Sequence, residues 1–234
     1  LITGASQGLG ACMAKTLAAD GFNIAINCLG ERERENGGNQ VAEACRALGV
    51  EAECFLCDVS DFAACEAMAK AVKDRFGTID VLVNNAGITK DGLLAQMSEE
   101  QFDVVTRVNY KSVFNMMRHV GKIMIRQRSG RIINITSMSA HLGFSEVVPY
   151  CASKGAVLAM TRALAVEWAQ DNITVNSIAP GWFRSKMNEQ VVDAAREQKI
   201  LNRMPLHAYG DTRDLGKMAE FLVGDGAAYI TGQD

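Results

Sequence analysis

An α/β domain built on a doubly wound parallel sheet, with helices on both faces, is the fold this 234-residue sequence predicts. Short β-rich runs alternate with helical stretches along the whole length, the pattern of βαβ units. The first run passes directly into a glycine-rich turn and a helix. The length suits one large α/β domain or two small ones, and no internal repeat or long linker splits it. A single domain over 1–234 is therefore expected.

Taken in order, the β-rich runs are 1–3, 23–28, 52–57, 81–84, 131–136 and 174–178. The helical stretches are 8–20, 40–48, 62–76, 99–127 and 153–171. Local signals support several boundaries. Asp20-Gly21 and Leu48-Gly49 place glycine just past a helix end. Ser98 followed by Glu100 and Gln101 marks a helix start with early acidic residues, and Pro180-Gly181 stops the last strand. The run 31–39, alternating charge and then Gly-Gly, reads as an exposed loop. The stretch 155–169 is apolar nearly all round, so it is expected to be buried, against the sheet and also against a second subunit of a homo-oligomer, a dimer or tetramer.

A formal net charge of −3 and the lack of a basic patch argue against nucleic acid as a partner. Arg126, Arg128 and Arg131 read as a solvated helix end. No apolar run approaches a membrane span. Leu1 is not a start methionine and the chain opens on a strand, so the N-terminal end is expected to be trimmed. The seven cysteines are odd in number and irregular in spacing, which points to reduced thiols and a cytoplasmic protein. Cys54 and Cys57 form a C-x-x-C, but they sit in a strand where that spacing sends side chains to opposite faces. No second ligand pair follows, so no metal is expected. His119, His141 and His207 are scattered.

The chemistry lies elsewhere. Tyr150 and Lys154 are four residues apart, so in a helix they share a face, and Ser137 precedes Tyr150 by thirteen residues. A free phenol has a pKa of about 10. A neighbouring ammonium is expected to lower it, and a serine hydroxyl to hold the reacting oxygen. Such a set moves a proton on or off a carbonyl or alcohol oxygen. At the other end, Gly4 permits a tight turn, while Gly8 and Gly10 allow backbone to approach a pyrophosphate over a helix N-terminus. The second β-run ends Asn27-Cys28-Leu29 without the acid that would hold the ribose of NAD. That favours NADP(H), with Gln7, Arg32 or Arg34 near its phosphate.

Together these residues resemble the short-chain dehydrogenases/reductases, which have a Rossmann-type fold, over the whole chain. Thr3-Gly4-x-x-x-Gly8-x-Gly10 is similar to the family's cofactor turn, which implies contacts from Ser6, Gln7 and Leu9 as well. Asp58-Val59 is similar to the pair that holds adenine, and Asn84-Asn85-Ala86-Gly87 to the motif after the fourth strand. Asn109, Ser137, Tyr150 and Lys154 match the catalytic tetrad, with Tyr150 and Lys154 also touching cofactor. The resemblance gives Asn109 a break in its helix and a water that feeds protons past Lys154. Pro180-Gly181 resembles the turn over nicotinamide, and Ser185 stands at the position that meets the carboxamide. The substrate wall is expected at 140–148 and at a lid spanning about 182–205.

Within the family the sequence most resembles β-ketoacyl-acyl-carrier-protein reductases of fatty-acid synthesis, through 79–94, 128–134 and 171–181. This implies NADPH-dependent reduction of a ketoacyl group on an acidic carrier protein. Two departures stand out. Gln7 replaces an arginine, and Asp171 stands where one of two carrier-docking arginines is expected, the other being Arg128. The segment 182–187 also resembles sugar or polyol dehydrogenases, for which Arg184 and Lys186 would suit a carboxylated sugar. A non-catalytic nucleotide-binding protein would show a degraded tetrad, and this one is complete.

Overall fold

The computed structural model describes residues 1–183 and 194–234, with side chains in the second segment from 197 onward. Five strands are parallel: β1 (Ile24–Cys28), β2 (Ala52–Leu56), β3 (Val81–Asn84), β4 (Gly130–Ile135) and β5 (Ile173–Ile178). The expected run at 1–3 is the seam of the sheet. Ile2 bridges Ile26 of β1 and Val83 of β3. Its N–H donates to Ala25 O at 3.0 Å, and Thr3 N–H donates to Val83 O at 2.9 Å. The spatial order is therefore β2–β1–(1–3)–β3–β4–β5. Gly4, at φ 60°, turns the chain out before the seam can lengthen. Along the outer edge of β5, Gly232 N–H donates to Val175 O and Gln233 O accepts from Ser177 N–H, both at 2.8 Å.

Every residue of β1, β3 and β5 is buried, as a parallel sheet covered on both faces requires. The helices are α1 (Gly8–Ala19), α2 (Asn39–Arg46), α3 (Phe62–Phe76), α4 (Glu99–Thr106), α5 (Ser112–Gln127), α6 (Val148–Trp168), α7 (Ala194–Arg203) and α8 (Thr212–Val223). One core joins α1, α2 and α8 to Ile26, Val83 and Ile133; the other joins α3, α5 and α6 to Ala25, Leu82 and Ile132. These strand residues alternate, so the pleat sends neighbours to opposite cores. Ser98 and Gln101 form the reciprocal cap that opens α4.

Three sequence expectations change. The run 31–39 is not a loop. It forms a helical turn at Glu31–Glu33 and a π-helical turn at Arg34–Gly38 that leads into α2. Its glycines serve close packing: a Cβ on Gly37 would lie 2.2 Å from Ser6 O, and one on Gly38 would lie 2.6 Å from Cys28 Sγ. The single helix expected over 99–127 is split by a π-helical turn at Arg107–Lys111. The helix expected from 153 begins at Val148, with Pro149 in its first turn. On α6, Val157 and Trp168 face inward, whereas Val166 is 82% exposed, so the single chain covers only part of this apolar helix. Among the described residues no helix is long and apolar enough to cross a membrane.

Candidate active site

The cofactor turn is held by side chains from three strands. Gly4 N–H donates to Asn27 Oδ1 at 3.2 Å. Asn85 Nδ2 donates to Thr3 O at 3.0 Å and to Gly4 O at 3.1 Å. Thr3 Oγ1 accepts from Asn85 N–H and Ala86 N–H at 2.9 and 3.0 Å. Gly10 is a packing glycine, because a Cβ there would sit 2.6 Å from Asn85 Nδ2. Gly8, at φ 58°, has open space where a Cβ would stand. Gln7 caps α1 without a side-chain bond, and no acid occupies the first turn. The positive end of the helix is thus left for an external anion.

The turn opens into one cleft of about 1260 Å³ that runs to Tyr150 and Lys154. Gly4, Ser6, Gln7, Gly8, Leu9, Asp58, Val59, Ala86, Gly87, Ser137, Tyr150, Lys154, Pro180 and Gly181 all border it. Gly10, Asn84 and Asn109 do not border it. Asn84 is buried, and its Nδ2 donates to Asn134 Oδ1 at 2.8 Å, which ties β3 to β4. Ser185, with Arg184 and Lys186, lies outside the described residues, as does most of the expected lid; α7 is its described part. At the far end of the cleft, Glu33 Oε2 accepts from Leu29 N–H at 2.9 Å, and Arg34 pairs with Glu31 at 2.5 Å. An acid therefore does reach this end, from the helical turn after β1 and not from the strand itself.

Ser137 lies just past the end of β4, and Tyr150 and Lys154 lie on the first turns of α6. Tyr150 and Ser137 border the same cleft. The expected lysine effect on the phenol is not what the geometry gives. Burial raises the Tyr150 pKa, and the Ser137 hydroxyl, which acts to lower it, only partly opposes that. The Lys154 ammonium lies 5.7 Å from the centre of the tyrosine ring and donates to Ile135 O at 2.7 Å. Burial lowers the Lys154 pKa to about 8, so at neutral pH the group is still mainly an ammonium. Tyr150 therefore holds its proton and Lys154 its charge.

Asn109 is fully buried in the π-helical turn and does not face solvent. Its Oδ1 accepts from Ile88 N–H at 2.8 Å, and its Nδ2 donates to Ile88 O at 2.9 Å and to Ser153 Oγ at 3.1 Å. Ser153 Oγ in turn donates to Tyr150 O at 2.8 Å. Sequence reasoning gave no role to Ser153, Asn27 or Gly37, and quoted Asn85 only as part of its motif. Asn27 carried a signal, as the lone amide in the otherwise apolar run 24–28.

These residues fit a dinucleotide: an uncapped helix start, a glycine with room above it, and a long cleft ending at a buried ammonium. The family model described as "Enoyl-(Acyl carrier protein) reductase" matches residues 4–234. The 3-oxoacyl-[acyl-carrier-protein] reductase FabG of Staphylococcus aureus (strain Mu50 / ATCC 700699) is 41% identical over all of this chain and 93% of its own length. The enzyme of the same name from Escherichia coli (strain K12) is 36% identical, over all of this chain and 92% of its own. A crystal structure of a gluconate 5-dehydrogenase from Burkholderia cenocepacia J2315, in complex with NADP and tartrate, superposes with a TM-score of 0.93 at 34% identity, covering 99% of this chain and 90% of that one. Similarity that spans the whole length, on a cleft that joins a phosphate-accepting turn to a serine, tyrosine and lysine, shows that the chain belongs to the short-chain dehydrogenases/reductases, the NAD(P)-dependent oxidoreductases of carbonyl and alcohol groups.

Proposed function

We propose that this protein reduces 3-oxoacyl thioesters to 3-hydroxyacyl thioesters with NADPH, as a 3-oxoacyl-[acyl-carrier-protein] reductase. The observation that carries the reading is that Ser137, Tyr150 and a buried Lys154 border the same cleft as the glycine-rich turn, in a chain alike end to end with relatives of that name. When bound, the nicotinamide supplies hydride to the carbonyl carbon. Tyr150 gives its proton to the carbonyl oxygen, and burial keeps that proton in place until it is needed. Ser137 orients the same oxygen. Lys154 spends one N–H on Ile135 O and keeps two for ribose hydroxyls. Asn109 holds the Ile88 backbone and, through Ser153, the first turn of α6. Both its N–H groups are used, which leaves one Oδ1 lone pair for a water.

NADPH is favoured over NADH because no acid follows Cys28 directly and Gln7 borders the cleft. Glu33 opposes this preference and sets its limit. The carrier protein is the finer point. Arg128, the expected docking arginine, is paired with Asp171 at 2.6 Å and also donates to Gln170 O. Docking of an acidic carrier is therefore weaker than two free arginines would give. The exposed Val166 on α6 and the exposed Phe114 on α5 suit a homo-oligomer.

A second reading, oxidation of a carboxylated sugar, is favoured by Arg107, Lys199 and Arg203 at the rim of the cleft and by the gluconate 5-dehydrogenase likeness. Steady-state rates with NADPH and NADH on acetoacetyl thioesters and on gluconate separate the two. Thioester reduction without gluconate oxidation supports the first reading, and the opposite pattern overturns it.

A further inference from the structure

One carboxylate grips both flanks of Ser137. Thr136, just before it, places Oγ1 2.7 Å from Asp234 Oδ1. His141, just beyond the turn that carries the serine, pairs through Nε2 with Asp234 Oδ2 at 2.5 Å. The two partners lie 98 and 93 positions from Asp234 in the sequence. Thr136 Oγ1 is also 3.0 Å from Ile178 O, but a hydroxyl has one proton to give. Ile178 O already accepts from Thr136 N–H at 2.9 Å, so the shorter, charge-assisted bond to Asp234 takes that proton.

Asp234 is itself set by the edge of β5. Gln233 O accepts from Ser177 N–H at 2.8 Å, and Gln233 N–H donates to Asn176 Oδ1 at 3.0 Å. The Asp234 side chain is only 5% exposed. Burying a carboxylate is costly unless its oxygens are bonded, and here both oxygens are spent on residues that flank Ser137. Burial acts to raise the Asp234 pKa, and its hydrogen bonds, those from Thr136 and His141 among them, hold it below the usual carboxylate value.

Between the two grips the turn is bonded to itself. Ser139 N–H donates to Ser137 Oγ at 3.2 Å, and Ala140 N–H donates to Ser137 O at 2.9 Å. Ser137 therefore sits where Thr136 and His141 are held. Thr136, Ser137, Met138 and Ser139 border the cleft, whereas His141 and Asp234 do not. The carboxylate can reach the chemistry only through the turn.

We infer that Asp234 is a positioning residue for the reduction: by holding Thr136 and His141 it fixes the turn that aims Ser137 at the substrate carbonyl. The inference rests on the reading of Ser137 as the group that orients that oxygen.

The test uses the full chain with NADPH and acetoacetyl-coenzyme A. Asp234→Ala is expected to lower kcat about 10–100-fold, the cost of misplacing a reacting group by about 1 Å, and to leave the Kd of NADPH unchanged in a fluorescence titration. A double-variant cycle separates positioning from a general loss of stability. In Ser137→Ala the aim of the turn no longer matters, so adding Asp234→Ala costs no further kcat. Thr136→Val removes one grip and is expected to lose turnover, while Thr136→Ser keeps the hydroxyl and recovers most of it. Where Asp234→Ala does not fold, the Thr136 pair, with and without Ser137→Ala, carries the same test. Unchanged kcat in Asp234→Ala, an equal loss with and without Ser137, or equal losses in Thr136→Val and Thr136→Ser overturns the proposal while Ser137→Ala alone still shows that the serine matters. Parent-like turnover in Ser137→Ala takes down the reading of Ser137, and this inference with it.

Discussion

At the glycine-rich end of the cleft the working surface is backbone, whereas at the Tyr150 end it is three side chains. The first end works through what is missing: no cap on α1, no acid in its first turn and no Cβ at Gly8. It is shaped by Asn27 and Asn85, which border the cleft, and by Gly37, which packs on Ser6. The second end works through what burial does to ionisable groups. It lifts the phenol pKa and lowers the ammonium pKa to about 8. One end is an electrostatic vacancy held open by packing; the other is a set of protons held in place by desolvation. A substitution should therefore damage affinity at one end and turnover or protonation at the other.

The sharpest break is Tyr150→Phe. We expect kcat to fall by about 10²–10⁴ with NADPH affinity unchanged, as read by single-turnover rates beside fluorescence titration. A parallel loss of NADPH affinity would mean the two ends are not separable.

Lys154→Met should abolish turnover yet raise stability at pH 7 by about 1–3 kcal/mol, because the ammonium it removes is buried at a cost. The sign follows from the lowered pKa. Between about 8 and the ordinary 10.5, the unfolded chain binds more protons than the folded one. The cost of the lysine is therefore full below pH 8 and fades as pH rises toward 10.5. Melting both proteins at pH 7 and pH 10 should show the advantage of the variant shrinking; a constant gap would remove desolvation as the cause.

Gly37→Ala probes the other end, since its Cβ would strike Ser6 O. We expect a loss of about 1–3 kcal/mol, seen as a Kd for NADPH raised about tenfold with kcat kept. Gly30→Ala, which meets nothing within 4 Å, is the control. The smallest effect is expected from Asp171→Arg. Freeing Arg128 should raise kcat/KM a few-fold for a carrier-bound substrate, within the ~0.2–1 kcal/mol of an exposed pair, and leave a coenzyme A thioester unaffected. Equal changes for both substrates would place carrier docking elsewhere.

The fold class was legible because parallel βαβ units announce themselves by alternation, and because glycines mark turns that other residues resist. Ser137, Tyr150 and Lys154 stood out as candidates through the company they keep, since a tyrosine and a lysine four residues apart are a weak signal alone. The loop expected at 31–39 went wrong for a physical reason. Gly-Gly in a charged run looks like slack, but here it lets a helical turn pack onto Ser6 and Cys28, contacts made across distant sequence. Asn109 could be picked only through the family resemblance, because its partners, Ile88 and Ser153, are far away in the chain.

Residue order alone named the candidate groups for the chemistry and showed that strands and helices alternate around a glycine-rich turn. Both follow from local stereochemistry and from the identity of side chains. Only the tertiary structure decided the protonation of Tyr150 and Lys154, the inward placement of Asn84 and the pairing of Arg128 with Asp171. Each depends on desolvation or on a partner from another element, and those arise only when remote segments meet.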